Sequence, residues 1–249
     1  MDLGLQGATA IVCGASSGMG LAVAEALAEE GANVAMFARR RDLLARHAER
    51  LGALAVRGDL TVPVDLERLV ATTLEAFGRI DILVLNGGGP PPGPARDLRA
   101  ADVEAAVDLL LLPFVRLAGL AMPYLERSGR GRIVLIESSS VREPIDGLAL
   151  SNAVRPGVVG WAKTLAREVG PKGVTVNVVA PGRIDTERLA QLYAASGRSR
   201  EEGAAQVALG RLGQPREVAD VVCFLASQRA AYVTGAVLPV DGGLSRFLL

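Results

Sequence analysis

The sequence predicts one α/β domain spanning residues 1–249, with a doubly wound parallel sheet of about seven strands and helices on both of its faces. Short apolar runs alternate with longer stretches of helical periodicity, and no Pro/Ser-rich linker or internal repeat interrupts them. Half of the residues are apolar, which is enough to build a large core. Because a parallel crossover needs a connection about as long as a helix, this alternation predicts parallel strands covered by helices.

The predicted strands are short apolar runs that end near turn residues. Five are clear, and a sixth at 53–57 is weaker. The clear ones cover residues 9–13, 33–37, 80–85, 132–136 and 174–179. Apolar residues at helical spacing predict a first helix that stops at Gly31. A later helix is predicted with Thr61 as its N-cap and Pro63 in its first turn, and it ends at Gly78.

Two stretches interrupt this alternation. Residues 87–94 form a Gly/Pro-rich loop directly after the fourth strand. Residues 186–216 are polar and contain four glycines, which is typical of a mobile flap over a substrate. Both follow the C-terminal ends of strands, which is where open α/β sheets bind their ligands.

The segment 13–20, CGASSGMG, joins the first strand to the first helix and predicts a dinucleotide site of the Rossmann type. Gly14 suits the tight turn, Gly18 lets the backbone approach a pyrophosphate, and Gly20 lets the helix pack close to the sheet. The N–H groups that a helix N-terminus leaves unpaired would face the phosphates. The residues between these glycines that belong to the same predicted site are Ser16, Ser17 and Met19.

The end of the second strand favours NADP(H) over NAD(H). An acidic residue there would bond the ribose 2′-hydroxyl of NAD and repel a 2′-phosphate. The segment 37–41, FARRR, instead offers no carboxylate and three guanidinium groups, of which Arg39 and Arg40 suit capture of the phosphate. Asp59 is placed to accept a bond from the adenine amino group. The other predicted contacts of the adenosine half are Leu60, Asn86, Gly87 and Gly88.

A series of landmarks along essentially the whole chain resembles the short-chain dehydrogenase/reductase family, in particular its 3-oxoacyl-acyl-carrier-protein reductase branch. The landmarks are the glycines at 14, 18 and 20, Asp59, residues 86–88, Ser138, and residues 176–177, 181–182, 232–235 and 240–243. The resemblance implies an NADP(H)-dependent oxidoreductase that acts on a small carbonyl or hydroxyl compound. It also implies cofactor contacts at Pro181, Gly182, Ile184 and Thr186, with Thr186 near the carboxamide.

The family's active site is a tetrad of Asn, Ser, Tyr and Lys, and this chain keeps only the serine, Ser138. Ser151 stands at the tyrosine position, Arg155 at the lysine position, and residues 110–112, LLL, at the asparagine position. In the family the tyrosine is the general acid/base, and a serine hydroxyl is too weak an acid to replace it near neutral pH. Arg155 can still bind the nicotinamide ribose and hold a positive charge over the site.

The altered tetrad leaves two functions open. In the first, Ser138 and Arg155 polarise a carbonyl while water or Glu143 handles the proton, with Tyr193 of the predicted flap as a further candidate. In the second, the protein is a catalytically silent NADP(H)-binding regulator or scaffold subunit. The intact cofactor end favours the first function, and the lost side chains favour the second.

The local structure around Ser151 also has two interpretations. Ser151 is at least as well suited to be a helix N-cap as to be catalytic. Pro156 either lies about one turn inside a helix that begins at the family position, or starts the helix and makes Arg155 a capping residue.

Composition limits the partners of the protein. Lys+Arg and Asp+Glu both number 27, so no basic excess favours nucleic acid or a membrane surface. Runs long enough to span a membrane are interrupted by charge, Pro or Gly, so we expect a cytoplasmic protein. Cys13 and Cys223 predict buried thiols, and the single histidine, His47, predicts no metal site.

A predicted helix over 109–125 suggests self-association. It is apolar on nearly every side, with Pro113 at a kink or at its start. A helix that covers one face of a sheet needs only one apolar stripe, so the surplus predicts a homodimer or homotetramer. The apolar C-terminus at 247–249 fits a second contact.

Overall fold

The computed structural model describes residues 2–247 and shows one sheet of seven parallel strands, which confirms the predicted α/β fold. The strands are β1 Thr9–Cys13, β2 Asn33–Ala38, β3 Leu54–Arg57, β4 Ile82–Asn86, β5 Arg132–Ile136, β6 Thr175–Pro181 and β7 Val237–Val240. Their spatial order is β3-β2-β1-β4-β5-β6-β7. The order reverses between β1 and β4, which is the switch point where doubly wound sheets bind ligands.

The helices lie on both faces of this sheet. Those described are α1 Gly18–Glu29, α2 Arg41–Leu51, α3 Pro63–Phe77, α4 Ala100–Leu110, α5 Leu112–Arg127, α6 Ala149–Val169, α7 Glu187–Ser196, α8 Arg200–Ala205 and α9 Pro215–Ala226. One core joins α1 and α9 to the sheet through residues such as Leu27 and Val222. A second core on the opposite face includes Leu117 of α5 and Val158 of α6.

The structure corrects two details of the predicted helices. The N-cap of α3 is Val62 and not Thr61, whose hydroxyl donates instead to the Asp59 carboxylate at 2.9 Å. The helix predicted over 109–125 is the end of α4 followed by α5, with a break at Leu111 and Pro113 in the first turn of α5. Proline fits this position because the first N–H groups of a helix have no partner within it.

Helix α6 resolves the alternatives around Ser151. The helix begins at Ala149 with Leu148 as its N-cap, so Ser151 is a residue of the first helical turn and not a cap. Arg155 lies one turn further on and Pro156 lies inside the helix, so Arg155 is not a capping residue. Ser151 and Arg155 therefore share one face of α6, four residues apart.

The segment 100–127 meets the length and composition of a membrane-spanning helix, and 39% of its most apolar window is buried. Its two helices are separated at Leu111, and Phe114, Leu117 and Leu125 of α5 pack into the core. Val103 and Val115 of the same segment are partly exposed. Of the predicted apolar C-terminus, residues 248 and 249 lie outside the described residues.

Candidate active site

One cleft of ≈ 600 Å³ opens at the C-terminal ends of the central strands. It brings together nearly all of the cofactor and catalytic residues that the sequence predicts. Those that line it are Gly14, Ser16, Ser17, Gly18, Met19, Arg39, Arg40, Asp59, Leu60, Asn86, Gly87, Gly88, Ser138, Ser151, Arg155, Pro181, Gly182, Ile184 and Thr186. Gly20 lies behind the cleft wall, and Glu143 is not part of the lining.

The glycine turn has the geometry that close approach of a phosphate requires. Gly14 and Gly18 adopt φ of 64° and 56°, which only glycine adopts without strain. A Cβ on Gly20 would lie 2.3 Å from the Gly14 carbonyl oxygen, so the turn and α1 pack too closely for any side chain. The first turn of α1 holds no acidic residue, and Ser17 makes no side-chain cap there. The N–H groups and positive end of α1 are therefore available to an anion.

The two arginines predicted to bind the phosphate differ in exposure and in hydrogen bonding. The side chain of Arg39 is 76% exposed, and its nearest carboxylate, that of Asp59, lies 3.7 Å away. Arg40 donates to the hydroxyls of Ser16 and Ser17 and pairs with Glu187 of α7 at 3.0 Å. Arg40 thus spans the cleft mouth from the glycine turn to α7, and Arg39 is left to bind a phosphate. Arg39, the glycine turn and the α1 N-terminus together fit a phosphorylated dinucleotide.

The loops after β4 and β6 frame the middle of the cleft. Asn86 donates from its side chain to the Cys13 carbonyl at 3.2 Å, which ties β4 to the glycine turn. Thr186 caps α7 by accepting from Leu189 N–H, and its methyl group lies 3.4 Å from where a Cβ on Gly18 would stand. The two sides of the cleft therefore approach each other closely between the glycine turn and α7.

Ser138 lies at the end of β5 with a hydroxyl available to a ligand. It is half-buried, and its oxygen accepts a hydrogen bond from Ser140 N–H at 3.2 Å as the N-cap of the 3₁₀ helix Ser139–Val141. Since this bond uses only the oxygen, the hydroxyl proton remains available for donation to a carbonyl oxygen.

A buried ion pair fixes the guanidinium of Arg155 beside Ser138. Nη1 of Arg155 donates to Oε2 of Glu137 at 2.7 Å, and the two side chains are only 9% and 0% exposed. Its other donors contact the Ser151 hydroxyl at 3.4 Å and the Gly88 carbonyl at 3.3 Å. Burial raises the pKa of the Glu137 carboxyl, and the charge and hydrogen bond of Arg155 oppose that rise. Arg155 is therefore a fixed cation that reaches from α6 to the ends of β4 and β5.

The two predicted alternatives for the proton do not face this site. The carboxylate of Glu143 is exposed and accepts from Arg246 N–H at 3.4 Å. The side chain of Tyr193 is buried, its hydroxyl accepts from Arg183 at 3.3 Å, and it packs against Gly203 of α8. The expectation that Glu143 would line the substrate cleft is therefore wrong, because its loop turns the side chain outward.

Two charged residues of the cleft, Glu187 and Arg188, were not named from the sequence, and the ion pair of a third, Glu137, was not predicted. Glu137 immediately precedes Ser138 and is separated by 18 residues from its partner Arg155, a distance at which no helical or strand period applies. Arg188 lies in the first turn of α7 and lines the substrate end. A basic residue in the first turn of a helix opposes the helix dipole, but the sequence predicts a flap and no helix here, so this conflict is evident only in the structure.

The two thiols are buried, as predicted, and burial raises the pKa of both Cys13 and Cys223 to about 12. Such thiols are inert packing groups and not nucleophiles. Within residues 2–247, no cluster of three or more His, Cys, Asp or Glu side chains could hold a metal ion.

The comparisons with known proteins agree with this arrangement. A family model described as enoyl-(acyl carrier protein) reductase matches residues 14–245. The 3-oxoacyl-[acyl-carrier-protein] reductase of Vibrio cholerae is 36% identical over 244 residues, which are 97% of this chain and 99% of the relative. This chain belongs to the short-chain dehydrogenase/reductase family.

Relatives in the short-chain dehydrogenase/reductase family act on different compounds. The cyclohexanol dehydrogenase of a Rhodococcus species is 36% identical and is covered over 98% of both chains. The crystal structure of L-sorbose reductase from Gluconobacter frateurii, complexed with NADPH and L-sorbose, is 31% identical over all of both chains with a TM-score of 0.93. These names set the reaction type of the relatives and leave the substrate of this chain open.

The four positions that the sequence matches to the family tetrad lie at the ends of β5 and α4 and in α6. Ser138 follows β5, and Ser151 and Arg155 of α6 line the same cleft. Leu110, in the segment matched to the asparagine, is buried at the end of α4. One cleft therefore joins the predicted cofactor residues to Ser138, Ser151 and Arg155.

Proposed function

We propose that this protein is an NADP(H)-dependent oxidoreductase that acts on a small carbonyl or hydroxyl compound without a tyrosine proton donor. The observation that carries the proposal is the continuity of the cleft, which joins the glycine turn and Arg39 to Ser138 and Arg155. A nicotinamide cofactor supplies or accepts the hydride when it is bound, so the protein must position the substrate and polarise its carbonyl group. The relatives named as reductases and dehydrogenases support this reaction type.

Ser138 and Arg155 have distinct roles in the proposed reaction. Ser138 donates its hydroxyl hydrogen bond to the carbonyl oxygen. Arg155, held by Glu137, places a fixed positive charge where negative charge develops on that oxygen, and a preorganised charge of this kind stabilises a transition state. The proton itself is exchanged with water, because Glu143 points outward and a serine hydroxyl at 151 is too weak an acid.

Replacing Ser138 with alanine should lower kcat by about a hundredfold, the usual loss when one oxyanion donor is removed. Initial rates of NADPH oxidation with a panel of ketones and aldehydes measure this. Glu143→Gln is the matched control, and its rates should equal those of the unmodified protein. Equal rates in Ser138→Ala would refute the role of Ser138. If the unmodified protein binds NADPH but turns over no member of the panel, the silent NADP(H)-binding alternative is favoured.

Replacing Arg39 with alanine should weaken NADPH binding by about tenfold to a hundredfold, the range expected for losing a charge-assisted contact. NADH binding should not change, since NADH lacks the 2′-phosphate. Titration calorimetry with both nucleotides measures the two affinities. Arg41→Ala, a neighbouring arginine outside the cleft lining, is the control. Equal loss of NADPH affinity in both variants, or none in Arg39→Ala, would contradict the assigned preference.

We further propose that the protein is a cytoplasmic homodimer or homotetramer that associates through α4, α5 and the following α6. The segment 100–127 is strongly apolar, yet only part of it is buried within one chain. A second copy would cover exposed groups such as Val103 and Val115. The free thiols Cys13 and Cys223 suit a reducing compartment.

A further inference from the structure

Arg188 is a cation of the cleft that the proposed reaction does not use. It is the second residue of α7, and its side chain crosses to the loop after β4, where Nη2 donates to the Pro90 carbonyl at 2.7 Å. Its guanidinium stands 3.0–3.4 Å from the place a Cβ on Gly89 would occupy. A guanidinium has five N–H donors, and within residues 2–247 this one bond is the only one assigned to Arg188. Most of its donors therefore have no partner within the described residues, and the residue lines the cleft.

The charge of Arg188 is not balanced by the protein around it. No carboxylate of the described residues lies within ion-pair distance of it. Two carboxylates that line the same cleft pair with other cations, Glu187 with Arg40 and Glu137 with Arg155. Burial, and then the positive charge of Arg155, lower the pKa of the Arg188 guanidinium. Within the described residues, Arg188 is thus a cation of the cleft without a paired carboxylate, and the charge of Arg155 acts on it.

The position of Arg188 on α7 adds to this imbalance. The N-terminus of a helix carries a partial positive charge, so a cation in its first turn is disfavoured. A partly buried cation that lies next to another cation and to a positive helix end is stabilised by an anion that binds there. Arg155, Arg188 and Thr186 at the start of α7 line the same cleft.

We infer that Arg188 binds a carboxylate group of the substrate, so that the substrate class is a carbonyl or hydroxy compound that carries a carboxylate. This inference rests on the proposed oxidoreductase function and adds the substrate class to it. The planar fork of a guanidinium matches the two oxygens of a carboxylate. The alternative anion is a phosphate of the cofactor. The glycine turn and α1 already offer the pyrophosphate its site, whereas Arg188 contacts the loop beside Arg155, at the substrate end.

The test uses the full chain saturated with NADPH and titrates it by calorimetry with acetate, butyrate, hexanoate and octanoate. The primary amide of each acid is the neutral counterpart of the same shape. At least one carboxylate should bind about tenfold or more tightly than its amide, the range of a charge-assisted pair. Arg188→Gln should abolish this preference, and Arg188→Lys should retain part of it. Arg198→Gln removes the same charge from an exposed residue of the flap and should change nothing.

Each result of this experiment distinguishes the inference from the function it rests on. If NADPH binds but no carboxylate is preferred over its amide, or if Arg188→Gln keeps the preference, the carboxylate site is refuted and the oxidoreductase proposal stands. If Arg188→Gln weakens NADPH binding about tenfold and no carboxylate is preferred, Arg188 serves a cofactor phosphate and the inference is wrong. If NADPH does not bind to the unmodified protein, both proposals fail together.

Discussion

Replacing Arg155 with methionine should lower the free energy of unfolding by about 3–5 kcal/mol, the usual loss when one partner of a buried ion pair is removed. Glu137 would keep its carboxylate with no exposed surface and no counter-charge. One of its oxygens, Oε1, already lacks a hydrogen-bond partner. The bond from Arg155 to the other oxygen, Oε2, is therefore what offsets the cost of burying the carboxylate. Urea denaturation at pH 8 measures the effect, and turnover should fall in parallel.

The loss in Arg155→Met should depend on pH. Burial already raises the pKa of Glu137 above its ordinary value of 4.5, and Arg155 opposes that rise, so removing Arg155 raises the pKa further. A carboxyl whose pKa is higher in the folded than in the unfolded state does not destabilise the fold below its unfolded pKa, where it is protonated in both states. As the pH rises through the folded pKa, the free energy of unfolding falls. The variant should therefore approach the stability of the unmodified protein near pH 4.5 and fall below it as the pH increases.

A double variant separates the loss of the pair from the loss of Arg155 alone. Glu137→Leu with Arg155→Met removes both charges and fills the same space with apolar groups, which is often neutral for stability. It should recover most of the unfolding free energy and show no pH dependence from this site, while activity stays low because the fixed cation is absent. A loss in Arg155→Met that is the same at pH 5 and pH 8 would contradict the ion-pair explanation.

The fold followed from the sequence because its determinants are local and periodic. Five apolar runs fell within two residues of observed strands, and the weaker run at 53–57 is the edge strand β3, where burial is incomplete. The strand β7 lies at the opposite edge and alternates less clearly, so only the overall pattern suggested it. The glycine turn was equally readable, since its requirement for positive φ and close packing acts within seven residues.

The contacts around Ser138 and Arg155 were harder to predict from the sequence because they join residues far apart along the chain. The sequence identified Arg155 by position, but its partner Glu137 became evident only when β5 and α6 were placed together. Ser151 suited an N-cap by residue type, yet the helix begins two residues earlier because the chain enters it at Leu148. The outward direction of Glu143 depends on how one loop packs, and no sequence period encodes it.

Replacing Gly20 with alanine should abolish saturable NADPH binding and lower the free energy of unfolding by about 1–3 kcal/mol, the usual range for overpacking. The added methyl group would lie 2.3 Å from the Gly14 carbonyl oxygen and 2.7 Å from Nδ2 of Asn86. Neither neighbour can yield freely, since one is backbone and the other bonds to the Cys13 carbonyl. Helix α1 must therefore move away from the turn, which takes its N–H groups out of reach of the phosphates.

Calorimetry with NADPH and urea denaturation together measure the effect of Gly20→Ala. The matched control is Gly119→Ala in α5, where a methyl group meets no atom of its own chain within 4 Å, and its oligomeric state is compared with that of the unmodified protein because α5 is a proposed subunit contact. That variant should bind NADPH normally and gain up to about 1 kcal/mol, because alanine in a helix loses less conformational entropy on folding than glycine. If Gly20→Ala folds and binds NADPH with the affinity of the unmodified protein, the glycine turn is not the phosphate site. The dinucleotide would then have to be bound by some other part of the cleft.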